Sequence, residues 1–209
     1  MHDARRFAPA TARNREPILE VLRRFVKPCA HVLEIASGSG EHAVFLAPRL
    51  EAGTWQPTDP DPESRASIDA WRSHEGDPRV LPAIDLDVTA PKWPAGAIDV
   101  VVCINMIHIS PWAAAEALLA GAGALLPEGG ILYLYGPYRQ AGVATAASNE
   151  AFDASLRTRN PAWGLRDLET VVAAAARHGL ALSEVVAMPA NNLSVVLRRG
   201  PRAGATFPT

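Results

Sequence analysis

Residues able to bind a ligand follow one short apolar run in the first quarter of the chain. Glu34 lies within the run 32–35, and Gly38 and Gly40 follow it in a turn. A ligand can approach the backbone closely only where no Cβ intervenes, and the N–H groups at the start of the next helix point toward it. The carboxylate of Glu34, four residues before Gly38, favours a ligand with a cationic amino group. The segment therefore predicts a strand, a glycine turn and a helix that bind a nucleoside-like molecule.

Two ligands fit this turn. The order Gly38-x-Gly40-x-x-Ala43 also matches the degenerate fingerprint of a dinucleotide site. Both interpretations need an acidic residue about 20 positions further on to bind ribose hydroxyls, and Asp59 meets that need. Glu34, together with a length too short for a separate substrate domain, favours S-adenosylmethionine over a dinucleotide.

Composition narrows the class of partner. The chain has 209 residues, 48% of them hydrophobic, so we expect one domain with a sizeable core. The net charge of −2, without a block of like charges, predicts no binding to nucleic acid or an anionic membrane. Cys29 and Cys103 show no paired spacing, which argues against a disulfide framework or a metal site. No secretory signal or membrane span is visible, so a cytoplasmic protein is expected. The oligomeric state is not determined by these features.

Strands and helices alternate along the chain, which indicates a parallel, doubly wound sheet. Pro82, inside the predicted third strand, places that strand at an edge of the sheet. The last two strands, about 182–188 and 193–197, are joined by a link too short for a parallel crossover, so the final strand must be antiparallel. The prediction is an α/β fold with a mostly parallel seven-stranded sheet. Its other predicted elements are helices at about 15–26, 61–74 and 110–126, and strands at about 31–36, 53–58, 79–85, 98–105 and 130–135.

Five segments carry a resemblance to a known family. They are Arg13–Leu19, Leu33–His42, Trp55–Asp61, Cys103–Trp112 and Met188–Asn192. Over nearly all its length the chain resembles the class I (Rossmann-like) S-adenosylmethionine-dependent methyltransferases. More narrowly, it resembles a small single-domain methyltransferase-like family of unknown function. The resemblance implies methyl transfer from S-adenosylmethionine, which leaves S-adenosylhomocysteine, to an oxygen or nitrogen of a small-molecule acceptor.

The resemblance also implies a role for each residue of the cofactor site. Asp59 would bind the ribose hydroxyls with Pro60 against the adenine, and Asp87 would accept from the adenine amine beside Val88. Asp85 is the alternative to Asp87 if the preceding strand ends two residues earlier. The methionine moiety would be held by Glu34, Ala36, Ser37, Gly38 and Gly40, and Asn105 would lie beside it and the methyl group. The cofactor site would be closed from the amino-terminal side by Arg13 and Asn14.

Catalytic residues are expected where the fourth and fifth strands end, because open α/β folds place ligands at that edge. His108 is the candidate base, and the alternatives are a pocket wall or a buried structural histidine. Asn105 and Tyr138 complete the catalytic prediction. Asn105 stands where metal-dependent catechol-type enzymes need a carboxylate, so no metal is expected.

The predicted substrate pocket consists of His108, Trp112, Tyr138, Arg139, Asn191 and Asn192. The two asparagines have tight-turn residues as their alternative role.

The chain divides into a leader at 1–13, a methyltransferase domain at 14–198 and a disordered tail at 199–209. Within the domain, residues 137–163 form a long link with its own helix, at about 148–156, and are predicted to be a lid over the site. A second hypothesis keeps the fold without the activity: a non-catalytic protein that binds adenosylmethionine or a partner.

Overall fold

The computed structural model describes residues 3–94 and 96–201, and its main feature is a twisted β-sheet. The strands, in chain order, are β1 (His31–Ile35), β2 (Thr54–Pro57), β3 (Val100–Ile104), β4 (Ile131–Gly136), β5 (Tyr138–Arg139), β6 (Arg166–Asp167), β7 (Leu180–Met188) and β8 (Asn192–Arg199). Six of them form one sheet in the order β2-β1-β3-β4-β8-β7, and β5 pairs with β6 separately.

The directions of the strands confirm the predicted fold class. Strand β1 is parallel to β2 and β3, and β3 is parallel to β4. Strand β8 is antiparallel to both β4 and β7, so β7 runs with the parallel set. The short link between β7 and β8, which contains a 3₁₀ turn at Pro189–Asn191, leaves no room for a crossover. The sheet is therefore a mostly parallel α/β sheet with one antiparallel strand, and it has six strands where seven were predicted.

The missing strand is the one predicted at 79–85. The segment lies outside β2 at the sheet edge, as predicted, but it makes only isolated bridges, from Val80 to Trp55 and from Ile84 to Thr58. Pro82 lies between the two bridges and has no N–H to donate to a ladder. Its carbonyl instead accepts a hydrogen bond from the Gln56 side chain at 2.7 Å. The prediction of a continuous strand here was wrong, because Pro82 interrupts the pairing.

Helices cover both faces of the sheet. They are α1 (Pro9–Leu22), α2 (Glu41–Arg49), α3 (Pro62–Glu75), α4 (Trp112–Leu125), α5 (Ala147–Arg159) and α6 (Leu168–Ala176). Alternate residues of β3 belong to different cores: Val102 packs in the cluster that includes α1 and α2, and Val101 in the cluster that includes α4 and α6. Burial on both faces explains why the strand is apolar throughout. Among the described residues, no helix is long and apolar enough to cross a membrane.

Helix α1 begins earlier than the sequence indicated. It was predicted at about 15–26 with Asn14 as its cap, but it spans Pro9–Leu22 and buries Asn14 in its middle. Pro9 suits the first turn, where the N–H that it lacks is not needed. The buried stripe then runs through Thr11, Asn14 and Ile18 at helical spacing. The leader predicted at 1–13 is therefore helical from Pro9 onward.

The carboxy-terminal boundary also shifts. Strand β8 continues to Arg199, the first residue of the tail predicted at 199–209. Arg199 donates through Nε to the carbonyl of Gly123, so it is fastened to α4. Residues 202–209 of that predicted tail lie outside the described residues.

Candidate functional site

A cavity of about 580 Å³ opens at the carboxyl ends of β1, β2 and β3. Its volume lies in the range typical of small-molecule and cofactor sites. Six residues of the predicted cofactor site line it: Ala36, Gly38, Asp59, Pro60, Asp87 and Val88. Other lining residues were not predicted, among them Leu86, Thr89, Ile104, Met106, Ile109 and the start of α4. This cavity is the strongest candidate for the cofactor site.

The glycine turn owes its shape to left-handed backbone at three positions. Ala36, Gly38 and Gly40 have φ angles of 53°, 59° and 91°. A Cβ on Gly40 would lie 2.7 Å from the Ile68 Cα, so glycine is required for α2 and α3 to pack. A Cβ on Gly38 would meet nothing within 4 Å, which leaves open space beside the cavity. The two glycines therefore serve different purposes, one for packing and one for access.

Ser37 fastens this turn to the end of β2. Its N–H donates to the Thr58 carbonyl at 2.8 Å, and its hydroxyl accepts from the Thr58 N–H at 3.1 Å. The Ser37 side chain is buried and does not line the cavity. Its part in the site is to hold the loop in place.

Asp59 connects the turn to α3. One carboxylate oxygen accepts from the Gly38 N–H and the other from the Asp61 N–H, both at 3.0 Å. Burial raises the pKa of Asp59, while the two backbone N–H groups oppose that rise. Each carboxylate oxygen has a second lone pair, so the group can still accept from two ligand hydroxyls. Asp59 therefore meets the requirements of the ribose-binding residue.

Asp87 and Val88 line the same cavity. The N–H and the hydroxyl of Thr89 both donate to one oxygen of Asp87 at 2.8 Å, and these bonds lower the pKa of Asp87. The alternative, Asp85, pairs with Arg65 at 3.4 Å and is not part of the cavity lining. The geometry favours Asp87 for contact with a ligand amine.

Glu34 lies beneath the turn. Its carboxylate accepts from the indole N–H of Trp55 at 2.9 Å, and both side chains are buried. Burial raises the pKa of Glu34 to about 7. Glu34 does not line the cavity. The partner of its carboxylate is Trp55 on the neighbouring strand, a contact that was not predicted from the sequence.

Asn14 connects α1 to α2 and does not line the cavity. Its Oδ1 lies 2.9 Å from Nε2 of His42, and burial lowers the pKa of His42 to about 4, so the neutral ring donates. Burial raises the pKa of Tyr135, at the end of β4, and a hydrogen bond from Asn14 partly offsets the rise. Arg13 is exposed, and its charge also lowers the pKa of Tyr135. His42 and Tyr135 were not among the residues predicted for the site, although Tyr135 lies next to the last residue of β4.

Asn105 takes the left-handed conformation, with a φ of 62°, directly after β3. Asparagine tolerates this conformation better than most residues. Its N–H donates to the Tyr135 carbonyl at 2.8 Å, so the turn is held against β4. Its neighbours Ile104 and Met106 line the cavity, whereas Asn105 does not.

His108 is 1% exposed and lines neither this cavity nor the one described next. Its Nδ1 is buried and has no hydrogen-bond partner in the part of the chain that the structure describes, and burial lowers the pKa of His108 to about 3. The ring lies edge-on to Phe152 and fills the space beside Gly136. A Cβ added to Gly136 would lie 2.1 Å from Cε1 of His108. Of the three roles left open, these observations favour the structural one.

A second cavity, of about 230 Å³, lies at the same sheet edge near the ends of β4 and β7. Tyr138, Asn191 and Asn192 of the predicted substrate pocket line it, and the remaining lining residues are Gln140, Val143, Ala144, Thr145, Ala146, Asn149, Ala187, Met188 and Leu193. Tyr138 has a buried hydroxyl with no hydrogen-bond partner within residues 3–94 and 96–201, and burial holds its pKa well above 10. This cavity is a second candidate ligand site at the same sheet edge.

Arg139 and Trp112, also predicted in the substrate pocket, are engaged elsewhere. Arg139 pairs with Glu150 at 2.6 Å and Asp153 at 3.2 Å, which fastens α5 to β5. The Arg166 guanidinium lies 5.8 Å from the ring of Trp112, which packs against the α4 side of the core. Neither residue lines either cavity.

The burial of His108 predicts a pH-dependent stability. Since the pKa is lowered from 6.5 to about 3, the stabilisation is present above pH 6.5 and is lost as the pH falls below it. When the pH falls from 7.5 to 5.0, the free energy of unfolding of wild type should decrease by about 2 kcal/mol more than that of His108→Asn. Urea unfolding at both pH values measures the difference, with exposed His74→Asn as the control. Parallel pH dependence of wild type and His108→Asn would show that the imidazole is not buried as described.

The family model with the description "Protein of unknown function (DUF938)" matches residues 5–199. The chain belongs to this family. That description assigns no activity, so the family adds no substrate to the site.

Solved structures show how the fold is used elsewhere. An O-methyltransferase family protein from Burkholderia thailandensis matches with a TM-score of 0.77 at 19% identity, over 91% of this chain and 57% of that one. Human N-acetylserotonin methyltransferase, solved in complex with SAM, matches with a TM-score of 0.76 at 13% identity, over 92% and 53%. This chain thus spans little more than half the length of either protein. At these identities the likeness shows the fold, which is that of S-adenosylmethionine-dependent methyltransferases.

Proposed function

We propose that the protein transfers a methyl group from S-adenosylmethionine to a small molecule. One observation carries the proposal: the larger cavity brings the glycine turn, Asp59 and Asp87 together at one sheet edge. Gly38 leaves space for a ligand, and Asp59 retains lone pairs for two hydroxyls. Asp87 adds a carboxylate whose lowered pKa keeps it ionised for an amine donor. The residues present therefore fit an adenosine-bearing cofactor.

When bound, S-adenosylmethionine supplies a carbon already activated for displacement. The protein then has to orient the two reactants and exclude water, and orientation alone accounts for a large part of such an acceleration. Asp59 and Pro60 would hold the ribose and adenine, and the turn from Ala36 to Gly40 with α1 would hold the methionine end. Among the described residues, no group of three His, Cys, Asp or Glu side chains could hold a metal ion. We propose a metal-independent transfer.

Asn105 is the residue that we propose to act nearest the methyl group, because it follows Ile104 at the end of the strand that borders the cavity. Tyr138 would contact the acceptor from the second cavity. Its raised pKa keeps the phenol protonated, so it would donate a hydrogen bond and not accept a proton. His108 would shape the loop after Asn105 without serving as the base.

The segment 137–163 would cover the acceptor. It contains α5, and Arg139 together with Asn149 ties that helix to β5 and to the β7–β8 link. Ten of the twelve residues that line the second cavity come from this segment or from residues 188–192 around the β7–β8 link. A lid of this kind suits a small acceptor in a cytoplasmic enzyme and leaves no extended surface for a nucleic acid.

A labelling experiment tests the acceptor class. The full chain is incubated with methyl-labelled adenosylmethionine and a cell extract that has been separated into small molecules, proteins and nucleic acids. We expect label only in the small-molecule fraction, and at least a tenfold loss of it with Asp59→Asn. Label in protein or nucleic acid contradicts the proposed acceptor class. If no fraction is labelled although the cofactor binds, the non-catalytic alternative is correct.

A further inference from the structure

The second cavity carries information about the acceptor itself. All twelve residues that line it are uncharged. Charged side chains lie close by in the sequence, but they are used in pairing: Arg139 binds Glu150 and Asp153 at 2.6 and 3.2 Å. A charged acceptor would lose its hydration in this cavity without meeting an opposite charge, which is costly. The lining therefore favours a neutral molecule.

The amide groups of the lining show which way its hydrogen bonds run. Asn149 donates through Nδ2 to the Asn191 carbonyl at 2.9 Å, and Asn192 donates through Nδ2 to the Pro189 carbonyl at 3.0 Å. A backbone carbonyl only accepts, so these contacts fix the orientation of both amides. Their Oδ1 atoms accept no hydrogen bond from another described residue, and Asn149 is only 7% exposed. The lining thus offers two amide oxygens as acceptors, while one of the two N–H groups of the Asn149 amide is already engaged.

Tyr138 adds an independent sign of a polar occupant. Its hydroxyl is fully buried and lacks a hydrogen-bond partner among the described residues, although burying such a group unpaired costs free energy. Tyr138 also lines the cavity. A bound hydroxyl group could pair with the phenol and with an asparagine oxygen at once, since a hydroxyl both donates and accepts.

We propose that this cavity binds an uncharged molecule with a hydroxyl group, of about the size of a single aromatic ring, as the methyl acceptor. The inference rests on the proposed function. In the transfer the hydroxyl oxygen forms the new bond to the methyl carbon, the carbon–sulfur bond breaks with its electrons remaining on sulfur, and the hydroxyl proton passes to solvent. The amide oxygen of Asn149 would accept from the hydroxyl before the transfer and hold its oxygen in position.

Four probes with the same ring separate charge from hydrogen bonding. Saturation-transfer NMR at pH 7.5, with adenosylhomocysteine present, compares phenol, anisole, benzoate and benzylamine on the full chain. We expect phenol to bind at least tenfold more tightly than anisole, which lacks the donor, and more tightly than either ion. Equal binding of phenol and anisole overturns the assignment of acceptor oxygens. Preferred binding of benzoate or benzylamine overturns the neutral class.

Variants place the probe in this cavity. Asn149→Asp changes little in size but adds a negative charge, so the preference should move from phenol to benzylamine. Ala144→Phe fills the cavity from an exposed position without removing a hydrogen bond, and should abolish phenol binding even if Asn149→Asp fails to fold. Calorimetry with adenosylhomocysteine should give unchanged affinity for both. Phenol binding that survives in Ala144→Phe refutes this location. Absence of adenosylhomocysteine binding to the wild-type protein refutes the proposed function.

Discussion

Asp59→Asn is expected to weaken adenosylhomocysteine binding by roughly 10- to 100-fold, because hydrogen bonds to a charged group contribute about 1.5–3 kcal/mol. The carboxylate accepts from the N–H groups of Gly38 and Asp61 and would accept from both ribose hydroxyls as well. An amide at the same place has one acceptor oxygen and no charge. Isothermal titration calorimetry at pH 7.5 measures the loss.

Asp85→Asn is the matched control. Asp85 is exposed, pairs with Arg65 at 3.4 Å and does not line the cavity, so its removal should change the affinity less than twofold. Thermal unfolding of both variants separates lost contacts from lost structure. Wild-type affinity in a folded Asp59→Asn protein would remove Asp59 from the site, and a larger effect of Asp85→Asn would move the ribose elsewhere.

Gly40→Ala should destabilise the fold by roughly 2–5 kcal/mol. A left-handed backbone costs an alanine about 1–2 kcal/mol, and overpacking adds about 1–3 kcal/mol. The added Cβ would lie 2.7 Å from the Ile68 Cα, which belongs to the backbone of α3 and cannot rotate away. Urea unfolding followed by circular dichroism measures the change in the free energy of unfolding.

Gly38→Ala provides the comparison within the same turn. Its φ of 59° carries the same kind of backbone cost, but no atom lies within 4 Å of the new Cβ. We expect a loss of only about 1–2 kcal/mol of stability. Because Gly38 lines the cavity, this variant should mainly lower affinity for the cofactor. Equal destabilisation by the two substitutions would contradict the packing role assigned to Gly40.

Much of the fold and six residues of the larger cavity could be predicted from the sequence because the signals are local. The buried run of β1, the glycine turn and Asp59 lie within 30 residues, and each has a direct physical requirement. The antiparallel β8 followed from the length of one link. Pro82 indicated an edge correctly, but its missing N–H also interrupted the strand that was predicted through it.

The remaining features depend on contacts between distant segments. Glu34 was predicted to face a ligand, yet Trp55, from the neighbouring strand, takes its hydrogen bond. His108 has the residue type of a base, but Gly136 and Phe152 bury it. Arg139 was predicted in the substrate pocket and instead pairs with α5. In each case the partner lies too far along the chain for a local pattern to reveal it.

The central claim is that the larger cavity binds S-adenosylmethionine. Its most direct test is calorimetric titration of the wild-type protein with adenosylmethionine, adenosylhomocysteine and NAD under identical conditions. The account predicts saturable one-to-one binding of the first two, competitive with each other, and no binding of NAD. Binding of NAD in preference to both, or the absence of binding by all three to the folded protein, would contradict it.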